Sequence, residues 1–220
     1  MKTINRLSVL MLLMLVGSVN LSAQVAKLYP VDEAAKDPTF FAFRARLFQA
    51  IQKKDSAFLL SIVDPAIENN FGGTNGFANF KTIWHPERAT SPVWSELMRT
   101  LSLGGKFDND KSYSAPYLFN SFPEKFDAFE HSAIIDDSVR VRKEPNTRST
   151  VIRTLSFDVV KLGQDKAAPY GTSRQWVPVV LADGQKGYVA AEYIRSSIDY
   201  RAIFEKKNGK WIMTAFIAGD

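Results

Sequence analysis

The sequence predicts an α+β protein: a helix-rich N-terminal domain, then a small antiparallel β-barrel, then a C-terminal β-hairpin. Three observations carry this. Apolar residues recur at helical spacing through the first half, with start and stop signals at each segment. From about Ala128 the pattern changes to short β-branched and aromatic runs separated by turn residues, as in antiparallel barrels and sandwiches. The dipeptides Asp183-Gly184 and Asn208-Gly209 are strong hairpin signals within that second half.

The chain opens with Lys2 and Arg6, an apolar run from Leu7 to Val16, and a small-residue site ending Leu21-Ser22-Ala23. That order is the pattern of a secretory signal, and the run is too short to span a bilayer. Cleavage after Ala23 is expected, giving an exported chain, periplasmic or secreted, of about 197 residues. Its formal charge then falls from +5 to +3, because Lys2 and Arg6 leave and no acid goes with them. So small a surplus, with no basic block, argues against nucleic acid as partner. No transmembrane segment is expected once the signal is removed. With no cysteine in 220 residues, stability rests on apolar burial rather than disulfides.

In "DPTFFAFRARLFQAIQKKD", Asp37 is a natural N-cap and Pro38 suits the first turn, while Phe40, Phe43, Leu47 and Ala50 or Ile51 form one apolar face. "DSAFLLSIVDPAI" reads as a second helix capped by Asp55 and stopped at Asp64-Pro65. "ENNFGGTNGF" follows. Its glycines, 72, 73 and 76, fit neither G-x-G-x-x-G nor a loop ending in G-K-[ST], so it reads as a helix entrance rather than a phosphate cradle. Gly72 and Gly73 are expected at positive φ, with Thr74 or Asn75 capping the helix "FANFKTIWH". A further helix, "SPVWSELMRTLSLGG", starts at Ser91-Pro92 and ends at Gly104-Gly105; "YSAPYLFNSFP" reads as extended. The domain boundary falls at residues 125 to 131, giving segments 27–127, 128–197 and 198–220.

"VRVRKEPNTRSTVIRTLSFDVVKL", then Trp176-Val177-Pro178-Val179, then "DGQKGYVAAEYI" resembles the bacterial Src-homology-3-like (SH3-like) domain over about residues 131 to 196. Two departures stand out: Glu144 replaces a usual glycine, and Val139 a common leucine. The resemblance implies a small barrel that binds cell-wall peptides or protein ligands, and it implies no catalysis. Trp176, Tyr188 and Tyr193 either line a shallow groove on it or fill its core; with Arg142 and Asn146 they form the candidate ligand-binding set. The front half, through "NNFGG", Trp84 and "YSAPYLFNSFP", looks like the uncharacterised region fused to such barrels in exported bacterial proteins. The opening helices and "NGKWIMTAFIAGD" are also similar in rhythm to the nuclear-transport-factor-2-like cone, which implies a last hairpin packed back on the N-terminal helices.

Chemistry is sparse. There is no cysteine nucleophile, no G-x-S-x-G elbow, and imidazole comes only from His85 and His131, so no catalytic residue, cofactor or metal is assigned. Asp108, Asp110, Asp136 and Asp137 read as solvated loop pairs rather than a calcium site. The expected function is non-enzymatic recognition of a cell-wall peptide or an envelope protein. The alternative is an envelope hydrolase or small-molecule-binding protein with a pocket at Asn70, Gly72, Gly73, Trp84, His85 and Tyr117.

Overall fold

The computed structural model describes residues 26–164 and 175–219; the expected signal segment, 1–23, lies outside them. The chain enters through an extended segment to α1 (Pro38–Lys53), where the Asp37 carboxylate accepts hydrogen bonds from the backbone N–H groups of Thr39 and Phe40. The expected face, Phe40, Phe43, Leu47, Ala50 and Ile51, is the buried one. α2 (Ser56–Ser61) is capped by Asp55 as expected, but it ends three residues before Asp64. Residues Val63–Glu68 form β1 instead. Pro65 is tolerated there because β1 lies at the sheet edge, where one row of N–H groups has no ladder to serve.

The glycine turn then leads into α3 (Phe77–Trp84), but with a different arrangement from the expected one. Positive φ occurs at Gly73 and Gly76 rather than Gly72, and Gly76 itself is the N-cap, so no side chain caps this helix. Asn75 turns its side-chain oxygen back to the Asn69 N–H, 2.9 Å away, and the Asn69 amide donates to the carbonyls of Thr74 and Gly76. Side-chain amides here replace the ladder that a strand or helix would supply.

α4 (Pro92–Leu101) starts as expected, with Ser91 Oγ accepting from the Val93 N–H. β2 (Lys106–Asn109) and β3 (Ser112–Ala115) follow as a tight pair. The aromatic segment after them is not extended throughout: Tyr117–Ser121 is a short helix, α5. Then come β4 (His131–Ile134), β5 (Val139–Arg142), β6 (Val151–Leu155), β7 (Val159–Leu162), β8 (Trp176–Val180), β9 (Lys186–Ala190) and β10 (Ile194–Arg195). β11 (Arg201–Lys207) and β12 (Lys210–Ile217) close the chain as a hairpin, with Asn208 and Gly209 both at positive φ. Two left-handed turn residues match the twist of the flanking strands, which is why Asn-Gly favours this connection.

The strands form two sheets. The first runs β1-β12-β11-β3-β2, with β1 parallel to β12 and the other pairs antiparallel. α1, α3 and α4 bury their apolar faces in one core with it, where Phe40 packs against Tyr113, Phe204 and Trp211. The hairpin thus occupies the middle of the sheet that serves the N-terminal helices.

The second sheet runs β10-β4-β7-β8-β9-β5-β6. It corrects the expected barrel: β10 and β6 are free edges rather than partners, so the sheet does not close. Ile134, Val139, Val141, Val160, Val179, Val189 and Ile194 nevertheless meet in one cluster, so the sheet bends over a single core. Gly187 permits the close crossing of β9 over β5, since a Cβ there would stand 2.6 Å from Val141 Cγ1 and 2.9 Å from the Arg142 carbonyl oxygen. A third cluster, Leu28, Tyr117, Leu118, Ala133 and Val159, with Phe122 and Phe126 against it, joins the two sheets' surroundings.

Candidate functional site

A groove of about 770 Å³ lies on the second sheet. One wall is β5 and the loop before it. Alternation along Val139-Arg140-Val141-Arg142 buries both valines and sends both arginines to the opposite face, where they line the groove. Arg142 is anchored through a 2.7 Å hydrogen bond to the Ser149 carbonyl. Among the described residues, the Arg140 side chain makes no hydrogen bond or ion pair.

The opposite wall is Trp176 on β8 and the single turn Ala191–Tyr193 after β9. Trp176 pairs in register with Ala190, and the Ala191 N–H donates to the Gln175 carbonyl at 2.9 Å, so the indole is set by ladder geometry on both sides. The Tyr193 carbonyl accepts from the Ile135 N–H at 3.0 Å, which brings the ring against the Asp136-Asp137 loop.

Charge divides along this groove. Asp136, Asp137 and Glu192 stand at the Tyr193 end. Glu192, and to a lesser extent Asp136, push the Tyr193 pKa above its ordinary value, because a phenolate beside carboxylates is disfavoured. Asp137 is held the other way, its carboxyl below the usual range through the hydrogen bond from Ser156 Oγ, 2.5 Å. Ser138, at φ 55, turns the chain from this acidic loop into β5 and donates its N–H to Ser156 Oγ. A smaller groove of about 450 Å³ between Arg99 and Ile135 shares Ala191 and Glu192 with the first.

Of the residues singled out from sequence, Arg142, Trp176 and Tyr193 come together in the groove. Asn146 instead shapes the adjacent turn, its side-chain oxygen accepting from the Arg148 N–H. Tyr188 lies on β9 between Arg142 and Pro178 and is half-buried. Arg140, Asp136, Asp137 and Glu192 are the charged wall residues outside the set expected from sequence. Arg140 is legible in the sequence, since period-two alternation places Arg140 and Arg142 on one face.

The front-half candidates are dispersed. Trp84 is buried against Tyr200 and Phe216, with ring centroids 5.2 and 4.9 Å away. Tyr117 is buried in the joining cluster, its hydroxyl donating to the Leu28 carbonyl, and burial pushes its pKa up to about 12. His85 is the left-handed C-cap of α3, with Nδ1 3.4 Å from Glu87 Oε1. Asn70 holds the glycine turn through the Thr74 N–H, and Gly72 and Gly73 are parts of that turn. None of these six lines either groove. Among the described residues, no group of three or more His, Cys, Asp or Glu is placed to hold a metal ion, and no helix is long and apolar enough to cross a membrane.

No curated protein and no solved structure matches the chain. Residues 137–195, from the turn before β5 to the end of β10, match the family model of the bacterial SH3 domain. That is a little over a quarter of the chain, and it takes in every wall residue of the larger groove except Asp136.

Proposed function

We propose that this is an exported, non-enzymatic recognition protein whose SH3-like sheet binds a cell-wall peptide or an envelope protein in the groove between β5 and Trp176. The observation that carries the reading is the groove itself: a half-buried indole and a phenol, rigid and amphipathic, face strand-borne arginines. Rings of this kind contribute contact area at small entropic cost, and backbone-fixed charges orient a polar ligand. Bacterial SH3 domains are commonly binding modules for cell-wall material, and the match over residues 137–195 supports assigning that role here. Export rests on the order of charged, apolar and small residues before Gln24.

The front half then acts as the platform that holds the sheet. Trp84 and Tyr117, the aromatic members of the alternative pocket, are packed into two separate cores. Purified peptidoglycan and its free stem peptides test the reading. Sedimentation with the insoluble wall, or saturable stem-peptide binding by calorimetry, is the expected result. Absence of binding at millimolar peptide would overturn the wall-ligand reading.

A further inference from the structure

The larger groove is polar in a directional sense. Asp136 and Glu192 sit at the end where β5 begins, and neither has an ion-pair partner among the described residues. Arg140 and Arg142 sit farther along the same strand, and Arg140 is unpaired there. An extended strand advances about 3.3 Å per residue, so Ser138 and Arg142 are separated by about 13 Å. Four residues of an extended peptide cover that same length. Trp176 flanks the path between the ends.

Resting on the peptide reading above, we infer that the groove recognises both termini of a short peptide, about four residues long, lying along β5. Its ammonium group sits between Asp136 and Glu192, and its terminal carboxylate sits on Arg140 and Arg142. Charge complementarity selects this direction over its reverse, since the reversed peptide would bring like charges together at both ends. All three acids at the cationic end take part in internal hydrogen bonds, Asp136 from the Asp137 N–H and Glu192 with the Tyr193 hydroxyl, but Asp137 contributes least because Ser156 and Ser138 engage both its oxygens. Arg142 keeps only part of its fork free, one Nη1 hydrogen being given to Ser149. Arg142 therefore holds the carboxylate at the four-residue span through its remaining donors, and Arg140, unpaired among the described residues, adds its charge from two residues back on the same face. A guanidinium suits that task because its paired donors match the two carboxylate oxygens.

The experiment uses the free stem tetrapeptide, its N-acetyl form and its C-terminal amide, each titrated into the folded protein by calorimetry at low salt. Acetylation and amidation are each expected to weaken binding about fivefold to tenfold, the range for losing one charge-assisted contact at a partly open site. The Asp136→Asn/Glu192→Gln double variant should bind the free and acetylated peptides alike while still distinguishing the amide. Arg140→Gln should show the opposite pattern. Circular dichroism confirms that each variant is folded. If the peptide binds but end-blocking does not couple to its own cluster, or couples to the other one, end recognition is overturned and the groove remains a peptide site. If none of the three peptides binds, the peptide reading falls and this inference falls with it.

Discussion

Arg195, at the end of the second sheet, donates a hydrogen bond across 3.2 Å to Thr100 Oγ1 on α4 of the first unit, with its own side chain wholly buried. The same Nη2 reaches the Tyr200 carbonyl at 2.7 Å, and Glu96 and Asp199 stand nearby as counter-charges. Burial pulls the guanidinium pKa down, while Asp199 and Glu96 oppose that pull. Among the described residues, its Nε and Nη1 have no hydrogen-bond partner. The contact is thus a charged tie between two cores, and it is incompletely satisfied.

Arg195→Ala is expected to lower unfolding free energy by about 3 kcal/mol, because it empties a filled site and leaves acids facing it. Arg195→Met, which keeps most of the volume, should cost less. Arg99→Ala, which removes the half-exposed ion pair with Asp199, should cost under about 1 kcal/mol. Urea unfolding of the three variants gives the order; equal losses would mean that burial does not decide it.

Asp37 gives a pH dependence of known sign. The hydrogen bond from the Thr39 hydroxyl, with the backbone donors of Phe40 and Thr39, holds its carboxyl down at about 2, against an ordinary 3.8. Its contribution is therefore complete above pH 3.8 and is lost as pH falls toward 2. Asp37→Ala should cost about 1 kcal/mol at neutral pH. Asp37→Asn retains a capping oxygen but loses the charge that Lys206 pairs with, so at neutral pH it should fall between the parent and Asp37→Ala, and it should lose this part of the acid slope. Thermal melts between pH 2 and 6 measure both.

Gly187→Ala tests the strand crossing that shapes the groove. A methyl group there meets Val141, Ile152 and the Arg142 carbonyl at 2.6 to 2.9 Å, and the carbonyl cannot rotate away. The expected loss is about 2 kcal/mol, read from the urea midpoint, with weaker peptide binding because Arg142 shifts with its strand.

Trp176→Ala should weaken stem-peptide binding at least tenfold with little change in circular dichroism, since the ring is only half-buried and removing a central aromatic contact costs a ligand more than a fold. Calorimetry on variant and parent decides it. Unchanged affinity would move the peptide off the groove.

Local signals in the sequence were readable where local physics decides. Asp37 and Ser91-Pro92 mark helix starts because a cap needs only its own turn. The valine and arginine alternation of β5 likewise needs only the pleat. β1 was missed because its pairing with β12 joins residues about 150 apart in sequence, and Pro65 argued for a stop. Nothing in Thr74 or Asn75 showed that Asn75 would serve Asn69 rather than α3. The acidic end of the groove was hidden for a related reason. Asp136 and Glu192 are ordinary surface acids until the Tyr193–Ile135 hydrogen bond brings their loops together.

The hairpin at the centre of the first sheet sets a schedule for synthesis. α1 through β3 emerge early, but the strands that complete their core, β11 and β12, are made only after the entire SH3-like segment. Until then Phe40 and Tyr113 lack Phe204 and Trp211, and the front half carries exposed aromatic surface. The second sheet has its own core and does not wait for β11 and β12, so the front-half core is expected to be completed last, when the hairpin arrives.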